Sequence, residues 1–169
     1  MSGHRLRRSG ALALLLLSGC VWKYGFAGGG FPAEIRTVAV LPFENQTFEP
    51  TLSSEINTAV REAMESRLGL RQAAESQADA VVTGTITRYE PDVPIAYAGT
   101  EDNRVQVTLR KLQIVVSIRI MDRKNEKVLW ERQGLAVDGD YQGADETNGK
   151  REALEKLIQQ IVDGAQSQW

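Results

Sequence analysis

RVQVTLRKLQIVVSIRIMD, residues 104–122, is the stretch of the sequence that decides the fold. Its apolar side chains fall on odd positions up to Leu109 and on even positions from Leu112 onward. An alternation with a period of two predicts a strand with one buried face. The phase changes at Arg110 and Lys111, which predicts a β-bulge there, because one extra residue turns every later side chain to the other face.

Further strands are predicted on both sides of this stretch. A turn and an alternating segment over residues 127–137 complete a hairpin. Upstream, residues 80–89 are rich in Val and Thr and predict another strand. We expect Pro91 and Pro94 to end that strand, because proline cannot donate to a ladder, and a long loop to follow over residues 92–103.

Two amphipathic helices are predicted over residues 51–68 and 144–166, where apolar residues recur at steps of three and four. Residues 37–41 form a continuous apolar run, typical of a strand buried on both faces, and residues 70–72 predict a short edge strand. The predicted fold class is α+β: a two-layer sandwich with two helices on one face of a mixed, roughly four-stranded sheet.

The amino terminus has the pattern of a bacterial lipoprotein signal peptide. Three arginines precede a run of seven apolar residues, 11–17, and the sequence Leu17-Ser18-Gly19-Cys20 follows. This run is far shorter than the roughly 20 residues that span a bilayer. We therefore expect cleavage after Gly19 and acylation of Cys20, with a buried free cysteine as the alternative.

The predicted domains are a signal peptide at residues 1–19, a lipidated tether at 20–33 and a single domain at 34–169. The tether is rich in glycine and contains Trp22, Tyr24 and Phe26, with Phe31 near its end. Aromatic rings suit a lipid interface or the wall of a partner protein. The alternative is that they pack on the domain itself.

Composition excludes several classes of function. Residues 1–19 hold three of the 20 Lys and Arg, so 17 basic residues face 22 acidic ones after cleavage, a balance of −5 that disfavours nucleic-acid binding. Cleavage would also remove His4, the only histidine. Without histidine or a free thiol, the processed chain lacks His- and Cys-based catalytic and zinc sites. We expect no enzyme activity and no cofactor apart from acyl chains on Cys20.

An acidic segment, Asp138-Gly139-Asp140 with Asp145 and Glu146, offers carboxylates for calcium. Its spacing does not match an EF-hand, and the favoured interpretation is a solvated turn.

Four basic residues cluster on or beside the strand at 104–122: Arg104, Arg110, Lys111 and Arg119. Some of them can present guanidinium or ammonium groups to a phosphate or carboxylate. The simpler interpretation is a solvated strand face.

Several segments resemble the lipopolysaccharide-assembly lipoproteins of the LptE family. They are Cys20 with Tyr24-Gly25-Phe26, Val38-Ala39-Val40-Leu41-Pro42-Phe43-Glu44-Asn45-Gln46-Thr47, Ala78-Asp79-Ala80, the long hairpin, and Ala153-Leu154 with Leu157. The resemblance covers essentially the whole chain after Cys20. The segment from Val38 to Phe43 also resembles curli-secretion lipoproteins and the amino-terminal domain of TolB.

The resemblance implies an outer-membrane lipoprotein that faces the periplasm or sits within the lumen of the β-barrel LptD. There it would plug the barrel, support its assembly and contact lipopolysaccharide. Only Cys20 is transferred as a functional position; Arg104, Arg110 and Lys111 are hypothetical lipopolysaccharide contacts. The alternative is a secretion-channel or envelope-scaffold lipoprotein.

Overall fold

The computed structural model describes residues 31–99 and 105–167, where two helices pack on a mixed six-stranded sheet. In chain order the elements are β1 (Thr37–Val40), β2 (Glu44–Asn45), α1 (Leu52–Ser66), β3 (Arg71–Gln72), β4 (Ala80–Gly99), β5 (Val105–Asp122), β6 (Lys127–Tyr141) and α2 (Glu146–Gln166). The predicted α+β fold is confirmed. The sheet has more strands than the roughly four predicted, because the two-residue segment β2 also pairs with it, in addition to the short edge strand β3.

The sheet has the order β3-β1-β4-β5-β6, and β2 pairs with β4 farther along that strand. The pairs made by β1, β2 and β3 are parallel, whereas β4, β5 and β6 form an antiparallel meander. β1 therefore lies between two strands, as its continuous apolar run predicts. The edge position predicted near residues 70–72 is also confirmed.

One hydrophobic core joins both helices to one face of the sheet. Its largest fully buried side chains are Leu52, Ile56 and Met64 of α1, Leu157 and Ile161 of α2, and Ile86, Leu112, Ile114 and Ile120 of the sheet. A small second cluster, Ala39, Ala78 and Val81, lies on the other face. The even positions of β5 from Leu112 onward thus form the helix-facing side, as the alternation predicts.

The prediction that Pro91 and Pro94 end a strand is wrong. β4 continues through both prolines to Gly99, and the loop predicted over residues 92–103 is largely strand. β2 pairs with β4 only as far as Ile86, so the later part of β4 has a described partner only in β5. Prolines are tolerated on open edges, where a nitrogen that points away from the partner strand loses no ladder hydrogen bond, and the register between β4 and β5 shifts on both sides of Pro94.

Two further predictions on the hairpin need correction. Arg110 and Lys111 pair with two consecutive residues of β4, Pro94 and Val93; the extra residues beside this pair lie on β4, and the extra residue on β5 is Thr108. Asp138-Gly139-Asp140 is not a turn but part of β6. The phase change that the sequence shows marks the place where β5 leaves the part of the sheet that is covered by helices, since β6 ends opposite Arg110.

Asp79 ties the start of β4 to the start of β1. Its Oδ2 accepts hydrogen bonds from the backbone N–H of Arg36 and Thr37 at 3.0 and 2.9 Å, and from the Thr37 hydroxyl at 2.8 Å. Thr37 Oγ1 in turn accepts from the Asp79 N–H at 2.9 Å. The Thr37 hydroxyl and the two amides lower the pKa of Asp79, because they bind the charged form.

We expect Asp79→Asn to lower the free energy of unfolding by about 1 kcal/mol at pH 7, because hydrogen bonds to a charged acceptor become neutral ones. A folded-state pKa below the unfolded value stabilises the protein above pH about 4 and stops doing so as the pH falls through the folded-state value. The difference from the parent protein should therefore shrink below pH about 4. Urea titrations at several pH values would measure it, with Glu65→Gln on an exposed position as the control. A difference that stays constant with pH would contradict the role of the charge.

Candidate functional site

Arg110 and Lys111 are neighbours on β5, but they lie in different surroundings. Arg110 Nη1 donates to Asp92 Oδ1, an interaction that raises the pKa of the guanidinium. Tyr141 lies nearby, and its hydroxyl donates to the Pro91 carbonyl at 2.7 Å. Arg110 therefore links β5 to β4 at the point where β6 ends and the antiparallel part of the sheet narrows from three strands to two.

Lys111 belongs to a polar group on the sheet face that the helices leave open. Its Nζ lies 3.0 Å from Asp138 Oδ2, and Gln113 Nε2 donates to Asp138 Oδ1 at 2.9 Å. Burial acts to raise the pKa of Asp138, but the hydrogen bonds from Gln113 and Lys111 outweigh it and hold that pKa below its usual value. Arg119 makes a similar pair with Glu131 at 2.8 Å, farther along the same strand.

The structure thus gives a carboxylate partner to each candidate basic residue that it describes, while Arg104 and Cys20 lie outside the described residues. A phosphate group that approached Arg110 or Lys111 would meet a positive charge that Asp92 or Asp138 already partly neutralises. The acidic segment from Asp138 to Glu146 does not assemble: no group of acidic, His or Cys side chains among the described residues could hold a metal ion.

A second surface was missed by the sequence analysis. Residues 94–99 of β4 and 105–109 of β5, here called the hairpin arm, pair only with each other among the described strands. The arm carries two exposed apolar side chains, Ile95 at 40% and Tyr97 at 61% of their maximal accessible surface. The signal in the sequence was the alternation of Val93, Ile95 and Tyr97 in a segment that the prolines made look like a loop.

Phe48 extends this apolar end of the molecule. Its side chain is fully exposed, and it lies across a shallow cleft from Thr87–Pro91, the residues that lead into the arm. Tyr89 in that segment donates to Glu146 Oε1 at 2.5 Å and joins β4 to the first turn of α2. Burial and the neighbouring carboxylate raise the pKa of Tyr89, so the phenol stays protonated and keeps this link at neutral pH.

None of the described helices is long and apolar enough to cross a bilayer. Exposed apolar side chains clustered at one end of a domain are typical of a contact surface for another protein or for lipid.

Solved structures similar to this chain show the same fold at low sequence identity. A DUF330-family protein from Xanthomonas campestris is 13% identical with a TM-score of 0.57, covering 82% of this chain and 91% of that one. The PelC dodecamer from Paraburkholderia phytofirmans is 19% identical with a TM-score of 0.53, covering 82% and 94%. A hypothetical protein from Chlamydia trachomatis is 13% identical with a TM-score of 0.51, covering 79% and 99%.

No curated protein matches the sequence significantly. The family model of LptE, described as lipopolysaccharide-assembly, matches residues 35–165, which include every strand of the fold, all of α1 and all but the last residue of α2. This match extends over most of the 169 residues. The chain therefore belongs to the LptE family of lipopolysaccharide-assembly proteins.

Proposed function

We propose that this protein is a non-enzymatic accessory lipoprotein of lipopolysaccharide export, anchored in the outer membrane through Cys20 and bound to an LptD-like β-barrel. The family match over residues 35–165 carries the proposal. The signal pattern that ends at Cys20 supports the anchor, since three acyl chains bind a bilayer far more firmly than one.

The hairpin arm is the surface that we assign to the barrel. Ile95, Tyr97 and Phe48 lie exposed at one end of the domain, where contact with a partner would remove them from water. Tyrosine at the centre of such a surface often supplies much of the binding energy.

Lipopolysaccharide carries phosphates, and we propose that Arg104, Arg110 and Lys111 contact it near the arm. Arg110 is already oriented by Asp92, and Lys111 by Asp138. A guanidinium held in place by one carboxylate retains further N–H donors for a phosphate oxygen. The contact would then use donors that the ion pair leaves over rather than break the pair.

Affinity purification from solubilised outer membranes tests the partnership. The tagged protein should recover a large β-barrel, and the double variant Ile95→Asp/Tyr97→Asp should recover at least about tenfold less, because two apolar contacts become charged. Val128→Asp is the matched control: it also replaces an exposed apolar residue, but at the far end of the sheet, opposite Met121. Equal recovery by both variants would contradict the assignment of the arm.

A self-assembling envelope lipoprotein is the second candidate, which the similarity to PelC favours, because that protein was solved as a dodecamer. The sequence resemblance to curli-secretion lipoproteins over Val38 to Phe43 points the same way. Mass photometry of the detergent-extracted protein separates the candidates. A large ring of identical chains would contradict the leading proposal, and a one-to-one complex with a barrel would contradict the second.

A further inference from the structure

A groove of about 480 Å³ runs between α1 and α2 on the outer side of the helical layer. Its floor is apolar and is formed by Ala59, Ala63, Leu154 and Ile158. Leu154 and Ala59 are only partly buried, although both pack against the core. The groove thus leaves apolar surface accessible in a layer that is otherwise charged on its outer side.

Contacts between the helices define the two ends of the groove. Near the start of both helices, Lys150 Nζ lies 3.0 Å from Glu55 Oε1. Beyond the end of α1, Arg67 Nη1 donates to Gln159 Oε1 at 3.0 Å. The two helices therefore run in the same direction, and the Arg67 end of the groove is the end at which α1 finishes.

The amino-terminal segment joins the domain at this same end. Phe31 packs against the core, and the chain then reaches Arg36, whose carbonyl accepts from the Arg71 N–H at 3.0 Å. Arg71 begins β3, only a few residues after α1 ends at Ser66. Arg36, five residues after Phe31, thus lies next to the segment that follows α1, at the Arg67 end of the groove.

The length of that segment suits the groove. Four residues, 27–30, separate Phe26 from Phe31, and the five steps from one Cα to the next span up to roughly 17 Å in extended chain. The stretch of helix from Arg67 back to Glu55 is about 18 Å long at 1.5 Å per residue. The linker and residues 21–26 together are therefore long enough for the segment to lie along the groove.

The chemistry of the segment also suits the groove. Trp22, Tyr24 and Phe26 alternate with other residues and offer flat apolar rings for an apolar floor. Lys23 lies between two of them, and Glu62 on the groove rim has no ion-pair partner among the described residues. Glu155, also on the rim, is already paired with Arg151 at 3.2 Å.

We propose that residues 21–26 bind in the groove between α1 and α2, with the aromatic rings on its floor and Lys23 beside Glu62. The bound segment shortens the connection between Cys20 and the domain. An acyl anchor on Cys20 would then hold the helical layer near the membrane and leave the hairpin arm free. The binding itself does not depend on the proposed function, because it needs neither a barrel nor lipopolysaccharide.

Cysteine cross-linking of the full-length protein, extracted in mild detergent, tests the proposal. Tyr24→Cys is combined with Ala59→Cys on the groove floor, and a short bismaleimide joins thiols that come close. The control pairs Tyr24→Cys with Thr83→Cys, an exposed position on β4 near the same end of the sheet, where Ala80 pairs with Val38. Peptide mapping identifies the joined residues, so a link to Cys20 cannot be mistaken for either pair.

A bound segment has a high local concentration at the groove, so the 24–59 link should form at least about fivefold more than the 24–83 link. Replacing Trp22 and Phe26 by alanine should reduce the 24–59 link to the level of the control. Equal yields from the two pairs would overturn the proposal, and so would a yield of the 24–59 link that stays unchanged when Trp22 and Phe26 are replaced. Links between two separate chains would overturn it as well, because the groove would then belong to a second copy. A barrel recovered normally alongside equal yields would leave the proposed function intact while this proposal fails.

Discussion

Replacing Gly139 by valine should destabilise this protein by about 3 kcal/mol or more, at the upper end of the range for overpacking. A Cβ at residue 139 would lie 1.7 Å from the Gly149 carbonyl oxygen and 2.9 Å from the Ala153 backbone nitrogen. Both are backbone atoms of α2, so no side-chain rotation can relieve the clash. The helix itself would have to move away from β6.

The displacement of α2 would spread through the core. Gly149 faces back toward the sheet, where a Cβ would meet the Tyr141 ring at 2.8 Å, so the strand and helix fit together through two glycines. Farther along, Gly164 lies against the Trp130 indole, and a Cβ there would approach it to 2.5 Å. Lifting the start of α2 therefore also loosens Leu157 and Ile161, which are fully buried.

Thermal and urea unfolding would measure the effect. Ala136→Val is the matched control, because it enlarges a side chain on the same strand at an exposed position. A loss of about 3 kcal/mol corresponds to a melting temperature at least about 6 °C lower for a domain of this size. Gly139→Val with the stability of the control would contradict the direct helix-to-strand contact.

Gly139 also shows which features the sequence could predict. Alternation and helical periodicity report which face of an element is apolar, and they correctly predicted both helices, the long hairpin and the α+β class. They do not report how closely two backbones approach. In the sequence, Asp138-Gly139-Asp140 has the composition of a turn. In the structure, Gly139 lies within β6, and the backbone of α2 packs directly against it.

The prolines of β4 also show that the sequence pattern does not reveal which neighbours a strand has. Pro91 and Pro94 predict a strand end only if their nitrogens would have faced a neighbouring strand. The sequence does not reveal that β2 stops opposite Ile86 and leaves this edge of β4 open. For that reason the β4 strand of the hairpin arm, with Ile95 and Tyr97 exposed, was predicted as a loop.

The candidate basic residues were identified from the sequence, but their partners were not. Arg110 and Lys111 lie on a strand, as the sequence predicts. Their partners Asp92 and Asp138 lie on the two neighbouring strands, and the register of the sheet brings each acid beside its basic residue. Strand register depends on bulges at several positions of β4, and these bulges lack a distinct sequence signal. The charge balance of the site was therefore not predictable.

Cys20→Ser should abolish acylation of the protein altogether. A serine hydroxyl cannot replace the thiolate that attacks the lipid donor, because it is a far weaker nucleophile at neutral pH. Without the acyl group the signal at residues 1–19 should also stay attached, since cleavage of a lipoprotein precursor follows acylation. The expected product is an unprocessed, unlabelled precursor, larger by the length of the signal.

Metabolic labelling with radioactive palmitate, followed by immunoprecipitation and intact-mass measurement, would test this prediction. Ser18→Ala is the matched control, because it changes a neighbour of the cleavage site but keeps a small side chain and the thiol, and it should be labelled and processed normally. The stability of the domain should be the same in both variants, because neither substitution changes a residue of the described core. Palmitate label that persists in Cys20→Ser would show that the anchor lies elsewhere.

Each buried methylene contributes about 0.8 kcal/mol to membrane binding, so loss of all acyl chains removes far more binding energy than any surface substitution could. If the serine variant were nevertheless processed normally and attached to the outer membrane as firmly as the parent, contact with a membrane partner alone would account for its location, and the lipid anchor would be refuted.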